Sequence, residues 1–210
     1  MIRLSRRIFL SSALLGALSL TAARAQADDT ALDQPLNGLY SGLAAVMKAG
    51  RATPFTQRFD ALAPAVDRAF DLTTILKVSV GLRWDSMNAT QQAALLTTFR
   101  RFTIATYVAN FDKFDGERFQ VDPGSRDSGS DKIVKTEILQ SSGDPIRLDY
   151  VMRQESSQWR AVDVLLDGSI SRVAVQRSDF RKILAGGDAD ALITSLKRKI
   201  SDLSEGALNS

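Results

Sequence analysis

Apolar residues recur at three- and four-residue steps through the first half of the chain, at two-residue steps through the third quarter, and at helical steps again near the end. Leu32, Leu36, Leu39, Tyr40, Leu43, Val46 and Met47 mark one face of an amphipathic helix from Leu32 to Ala49, stopped by Gly50. A second helix from Pro54 places Phe55, Phe59, Leu62, Val66 and Phe70 together, with Pro64 expected to bend or split it. Asp71 is an N-cap candidate for a third helix, Leu72 to Leu82, which Gly81 ends. Asn88, with Gln91 at the capping-box position, starts a fourth from Thr90 to about Asp112. That helix is the longest and most aromatic, and Leu95, Leu96, Phe99, Phe102, Thr103, Tyr107 and Phe111 would share one broad face.

After Gly116 the period drops to two. Strands are predicted at Glu117–Val121, Lys132–Gln140, from Ile146 to Arg153, and at Gln158–Leu166, with Asp122–Asp131 as a loop dense in turn residues. The clearest alternation sets Ile146, Leu148, Tyr150 and Met152 inward against Arg147, Asp149 and Arg153 outward. Helices resume at Ser171–Leu184 and, after Gly186-Gly187 and an Asp188 cap, at Asp188 to about Leu203. The pattern predicts an α+β fold: an antiparallel four-stranded meander sheet, covered by helices from both the N-terminal and C-terminal segments, with an apolar cleft between the layers.

The cleft would be lined by Ile75, Val78 and Leu82 from the third helix and by Phe99, Phe102, Tyr107 and Phe111 from the fourth. Leu148, Tyr150, Met152, Val162 and Val164 would face them from the sheet. Nothing polar converges in that set, which suits acyl chains or a polycyclic hydrocarbon, where each buried methylene contributes about 0.8 kcal/mol. The same residues serve equally as dry core.

The amino terminus alters the picture. Arg3, Arg6 and Arg7 precede an uncharged stretch from Ile8 to Ala23 that ends in small residues, and A-x-A occurs at Ala23–Ala25 and at Ala25–Ala27. Residues 1–27 therefore read as a twin-arginine-like signal peptide, cleaved near Ala25 or Ala27, and 28–210 as one exported domain. Of the 27 basic residues four lie before Gln26, leaving 23 against 24 acidic ones and a net charge of −1. That balance removes the electrostatic case for a nucleic-acid partner. The chain has no cysteine and no histidine. It has no disulfide, and the common zinc, haem and copper ligands and the histidine-based triads are missing, so neither a metal nor another cofactor is expected. Carboxylate chemistry remains conceivable at Asp163, which sits among apolar strand neighbours, but a hydrogen bond to the following turn at Gly168 is the simpler role. Arg177 and Arg181, one turn apart, suit solvent or a pairing with Asp179 or Asp188, with a lipid phosphate or a membrane surface as the alternative.

Four strings carry a resemblance: Phe70 to Phe102, "YVANFDKFDGERFQV" (Tyr107 to Val121), "IRLDYVM" (Ile146 to Met152) and "WRAVDVLLDGSIS" (Trp159 to Ser171). Together with "QRSDFRKIL" and "DADALITSLKRKI" they resemble the MlaC family of periplasmic lipid-binding proteins, the toluene-tolerance or ABC-transporter-auxiliary type, from about Leu32 to Ile200. The resemblance implies a non-enzymatic carrier that holds a phospholipid by its tails between sheet and helices. It also implies traffic between an inner-membrane ABC transporter with a mammalian-cell-entry domain and an outer-membrane lipoprotein complex, in support of outer-membrane lipid asymmetry. Carried over residue by residue, the lining role falls on Ile75, Val78, Leu82, Phe99, Tyr107, Leu148, Tyr150, Val162 and Val164. "LDGSISRVAVQRSDF" (Leu166 to Phe180) looks like the hopanoid-associated HpnM branch, which implies a hopanoid cargo and a hopanoid transporter. A monomer is expected. The rival reading is an interaction module that assists a membrane lipid-transport complex without binding lipid.

Overall fold

Local polar residues start the helices. The Asp71 carboxylate accepts from the Thr74 N–H at 2.9 Å, Asn88 and Gln91 bond each other's backbone N–H in a capping box, and Asp188 accepts from the Asp190 and Ala191 N–H groups. The computed structural model describes residues 16–208, with side chains described from Thr30 onward. Residues 1–15 of the expected export segment lie outside the described residues. The remainder of that segment is drawn as the start of the first helix.

The order is α1 (Gly16–Ala49), α2 (Phe55–Ala69), α3 (Leu72–Val80), a 3-10 turn (Gly81–Ser86) and α4 (Ala89–Asn110). Then come β1 (Arg118–Val121), β2 (Arg126–Ser128), β3 (Asp131–Leu139), β4 (Ile146–Glu155), β5 (Gln158–Leu166), β6 (Ile170–Ser171), α5 (Arg172–Ala185) and α6 (Ala189–Leu203). α2 is continuous through Pro64: Leu62, Ala63, Ala65 and Val66 around it are all buried, so packing offsets the lost hydrogen bond. α3 stops at Val80 because Gly81 takes φ +70°, which sends Leu82 into the 3-10 turn instead.

The sheet is antiparallel in the order β1-β3-β4-β5-β6, with β2 also paired to β3. It has six strands rather than the four expected. Val121 pairs with Thr136 and Arg126 with Ile133, so β1 and β2 are successive segments along one edge of β3, and β2 occupies part of the expected loop. β6 folds back on Leu165 and Leu166 through Asp167-Gly168, whose φ angles of +51° and +71° are those of a tight hairpin turn.

Register places Val134, Thr136, Leu148, Tyr150 and Val164 on one face. The helices cover that face. On the other, Arg153 and Asp131 pair at 2.7 Å, and Arg147 donates to both carboxylate oxygens of Asp149 at 2.9 and 2.8 Å. Asp149 points away from the helices as expected yet is fully buried, because the Arg147 guanidinium lies over it and crowds Gly168. A further contact reaches the free edge of β5: Phe70, at the α2–α3 junction, makes a single parallel bridge to Ala161, fixed by the Asp71 N–H donating to the Ala161 carbonyl at 3.0 Å.

Candidate functional site

Between the sheet and the helices six aromatic side chains close into a ring. Tyr40 of α1 stacks on Phe119 of β1 at 4.7 Å between centroids, Phe119 meets Phe111 at 6.0 Å, and Phe111 stacks on Tyr107 at 6.1 Å. Tyr107 meets Phe70 at 5.7 Å, Phe70 meets Tyr150 of β4 at 6.2 Å, and Tyr150 returns edge-on to Tyr40 at 6.1 Å. These separations are those of favourable aromatic pairs. Two neighbours in the ring come from the end of α4, and the other four from separate parts of the chain.

A directed pair of hydrogen bonds anchors the ring to the sheet at Tyr40. Thr136 spends its one O–H on the Leu148 carbonyl at 2.5 Å, so in its contact with Tyr40 the tyrosine must donate. Beside this contact the Tyr150 ring packs edge-on against Tyr40. Burial pushes the ionisation of all three phenols above the ordinary tyrosine value. The ring is therefore uncharged, with its three phenols protonated at ordinary pH.

The residues expected to line a cleft divide into four groups. Tyr107, Phe111 and Tyr150 enter the ring, and Leu148, Met152 and Val164 pack around it from the sheet. Ile75 and Phe99 are core; Phe99 meets Phe180 of α5 edge-on at 6.3 Å, and Phe102 lies under Lys199 of α6 at 5.8 Å. The stripe on α4 thus does not present one broad face: the helix is packed by α2, α3 and α6, and only its end reaches the sheet residues. Val162 is the extra residue where the β4–β5 register slips, and it is buried apart from the main core. Val78, on the outer side of α3, is 46% exposed, and Leu82 is 91% exposed because Gly81 turns the chain outward. Sequence reasoning left Tyr40, Phe70, Phe119 and Thr136 out of the site. Tyr40 and Phe70 were legible only as helix-face residues, and Phe119 only as one residue of a short strand.

Asp163 has a structural occupation. Its carboxylate accepts from Ser171 Oγ at 2.5 Å and from the N–H groups of Val164 and Val173 at 2.7 and 3.1 Å, which ties β5 to the start of α5 rather than to Gly168. Arg177 lies against Gly81, and Asp179 pairs with Lys182 at 3.5 Å. Among the described residues no group of three or more Asp or Glu is placed to hold a metal ion. No described helix is long and apolar enough to cross a membrane.

Open space is found elsewhere. A groove of about 730 Å³ runs between α4 and α6, lined by Ala89, Ala93, Thr97, Arg101, Ile193 and Ile200 among others. A smaller one of about 450 Å³ lies by Met47, Arg51 and Phe114. The aromatic ring stands between the layers, where the cleft was expected.

Comparison with known proteins bears on this site. The family model described as MlaC protein matches residues 39–198. No curated protein matches. Among solved structures, a phospholipid-binding protein from Ralstonia solanacearum, determined in complex with a phospholipid at 1.53 Å, superposes with a TM-score of 0.69 at 17% identity. The match covers 84% of this chain and 98% of that one, so the two share a fold over nearly the whole of the smaller protein.

Proposed function

The chain belongs to the MlaC family, and from that premise we propose that it is a carrier that takes a lipid between its sheet and its helices. The observation that carries the reading is the six-membered aromatic ring, an apolar assembly set between the layers of a fold shared with a phospholipid-bound protein. In the conformation described, the ring occupies the space that acyl chains would fill. Uptake therefore requires α1 and the end of α4 to move off the sheet, with the Tyr40–Thr136 contact as the link that must part. Each methylene that enters contributes about 0.8 kcal/mol, so a pair of chains readily offsets the loss of ring contacts at about 0.5–1.5 kcal/mol per pair.

The wider role follows the family. The carrier works in the periplasm as a monomer after loss of residues 1–27, shuttling lipid between an inner-membrane ABC transporter with a mammalian-cell-entry domain and an outer-membrane lipoprotein complex. A carrier of this kind performs no catalysis, and the strand carboxylates Asp149 and Asp163 are both committed to structural donors. Within the family we place it in the hopanoid-associated branch on the segment Leu166 to Phe180, which forms the end of β5, β6 and the first turns of α5. Phe180 there packs on Phe99, so this segment bears directly on the helical wall. Native mass spectrometry after incubation with phosphatidylglycerol or with a hopanoid tests the reading. One lipid per chain supports it, and the preferred species identifies the cargo. A chain that accepts neither is an interaction module whose ring is plain core.

A further inference from the structure

Leu82 is 91% exposed, the most exposed of the large apolar side chains described. It is not on a frayed loop. Gly81 at φ +70° throws it outward, while Trp84, two residues on, is buried and its carbonyl accepts from the Met87 N–H at 3.1 Å and from Gln92 Nε2 at 3.0 Å. The turn is thus a fixed knob. Val78, one helical turn earlier, is 46% exposed. α5 meets α3 at this corner through Gln176 Nε2 and Ser79 Oγ at 3.2 Å, and its Val175 is 42% exposed.

Cations rim the knob. Lys77 Nζ stands 5.9 Å from the Trp84 ring centroid, Arg83 follows Leu82 directly, and the Arg177 guanidinium lies over Gly81, its Nε 3.6 Å from where a Cβ would project. None of the three takes part in an ion pair among the described residues. Of the acids nearest in sequence, Asp85 shares the turn and Asp179 is engaged by Lys182. An aliphatic tip ringed by unpaired cations has the chemistry of an anionic lipid surface, with the leucine among the acyl chains and the cations at phosphate depth.

We propose that this corner, Leu82 with Val78, Lys77, Arg83 and Arg177, docks the protein on an anionic bilayer. A protein partner fits less well, because a stable interface buries about 800 Å² per side around a packed centre, and the corner offers one convex tip. Both described grooves lie on other residues. The inference is independent of the cargo.

The chain has no cysteine, so one introduced thiol can be labelled uniquely. Val78→Cys carrying an environment-sensitive fluorophore, with Leu82 intact, is mixed with phosphatidylglycerol–phosphatidylcholine vesicles and with pure phosphatidylcholine vesicles. Every variant keeps the same N-terminus, so the apolar run there contributes equally. Docking shifts the emission to the blue with the anionic vesicles, and added salt reverses it. Leu82→Asp in the labelled background weakens partition by about tenfold or more, and Arg83→Gln or Arg177→Gln by about fivefold each. A label at Ser141, in the β3–β4 turn, stays in water. The inference is overturned if the Val78 label stays aqueous, if it responds alike to both vesicle types regardless of salt, or if only a membrane protein shields it. Circular dichroism of each variant confirms folding, and lipid loading measured on the same samples reports the carrier reading separately.

Discussion

The chain's three tyrosines, Tyr40, Tyr107 and Tyr150, all lie in the aromatic ring, so raising the pH probes the ring and nothing else through tyrosine absorbance. Burial raises all three above their ordinary value of 10.0. An acid whose folded pKa is raised stabilises the fold fully below the unfolded pKa, and that stability is lost as pH climbs above it, because the unfolded chain releases protons the native one retains. Each tyrosine contributes a slope of about 1.4 kcal/mol per pH unit, and three together about 4. A domain at the lower end of the usual range of about 5–15 kcal/mol is exhausted within about one to two units above pH 10 on this term alone. Tyrosinate absorbance and far-UV circular dichroism, followed together through alkaline pH, should change in one steep transition, with no tyrosinate while the fold persists. Tyr107→Phe or Tyr150→Phe should each reduce the tyrosine part of the slope by about a third. A tyrosine that ionises smoothly near pH 10 with the dichroism intact would refute the closed ring.

Three substitutions extend the test. Tyr40→Phe keeps the ring area but removes the donor to Thr136, so stability should fall by about 1 kcal/mol in urea titrations while lipid exchange between vesicles quickens about fivefold. Unchanged exchange would mean that α1 is not the moving layer. Asp163→Ala strips three donors of their acceptor and should cost about 3 kcal/mol, seen as a melting temperature lower by about 9 °C, without abolishing lipid loading. Gly168→Ala adds a Cβ at φ +71°, 2.7 Å from Arg147 Nη2, so about 1–2 kcal/mol should be lost to backbone strain, with a further loss if the guanidinium leaves Asp149.

Much of the helical layer was legible because its signals are local. Asp71, Asn88 with Gln91, and Asp188 announce helix starts within three residues of their partners, and all three cap as read. The strands were legible where one face is apolar. β2 escaped because all three of its residues are exposed, and β6 because two residues carry no periodicity. The outward face of Asp149 follows from alternation, but its burial depends on Arg147 folding over it, which alternation does not encode. The site is the least legible part. Tyr40 meets Thr136 across 96 positions, and Phe70 reaches the sheet from a helix junction, so no local window contains the ring. Helical spacing on α4 also joined Phe99 and Phe102 to Tyr107 and Phe111, although the first two meet α5 and α6.

Where lipid sits is the central question, and the structure offers two addresses: the ring between the layers and the groove between α4 and α6. A phospholipid bearing a photoactivatable group midway along one acyl chain, loaded and irradiated, then mapped by peptide mass spectrometry, separates them. Adducts at Tyr40, Tyr107, Phe119 or Tyr150 are required by a lipid held between sheet and helices. Adducts confined to Ala93, Thr97, Ile193 or Ile200, or none at all, would contradict it.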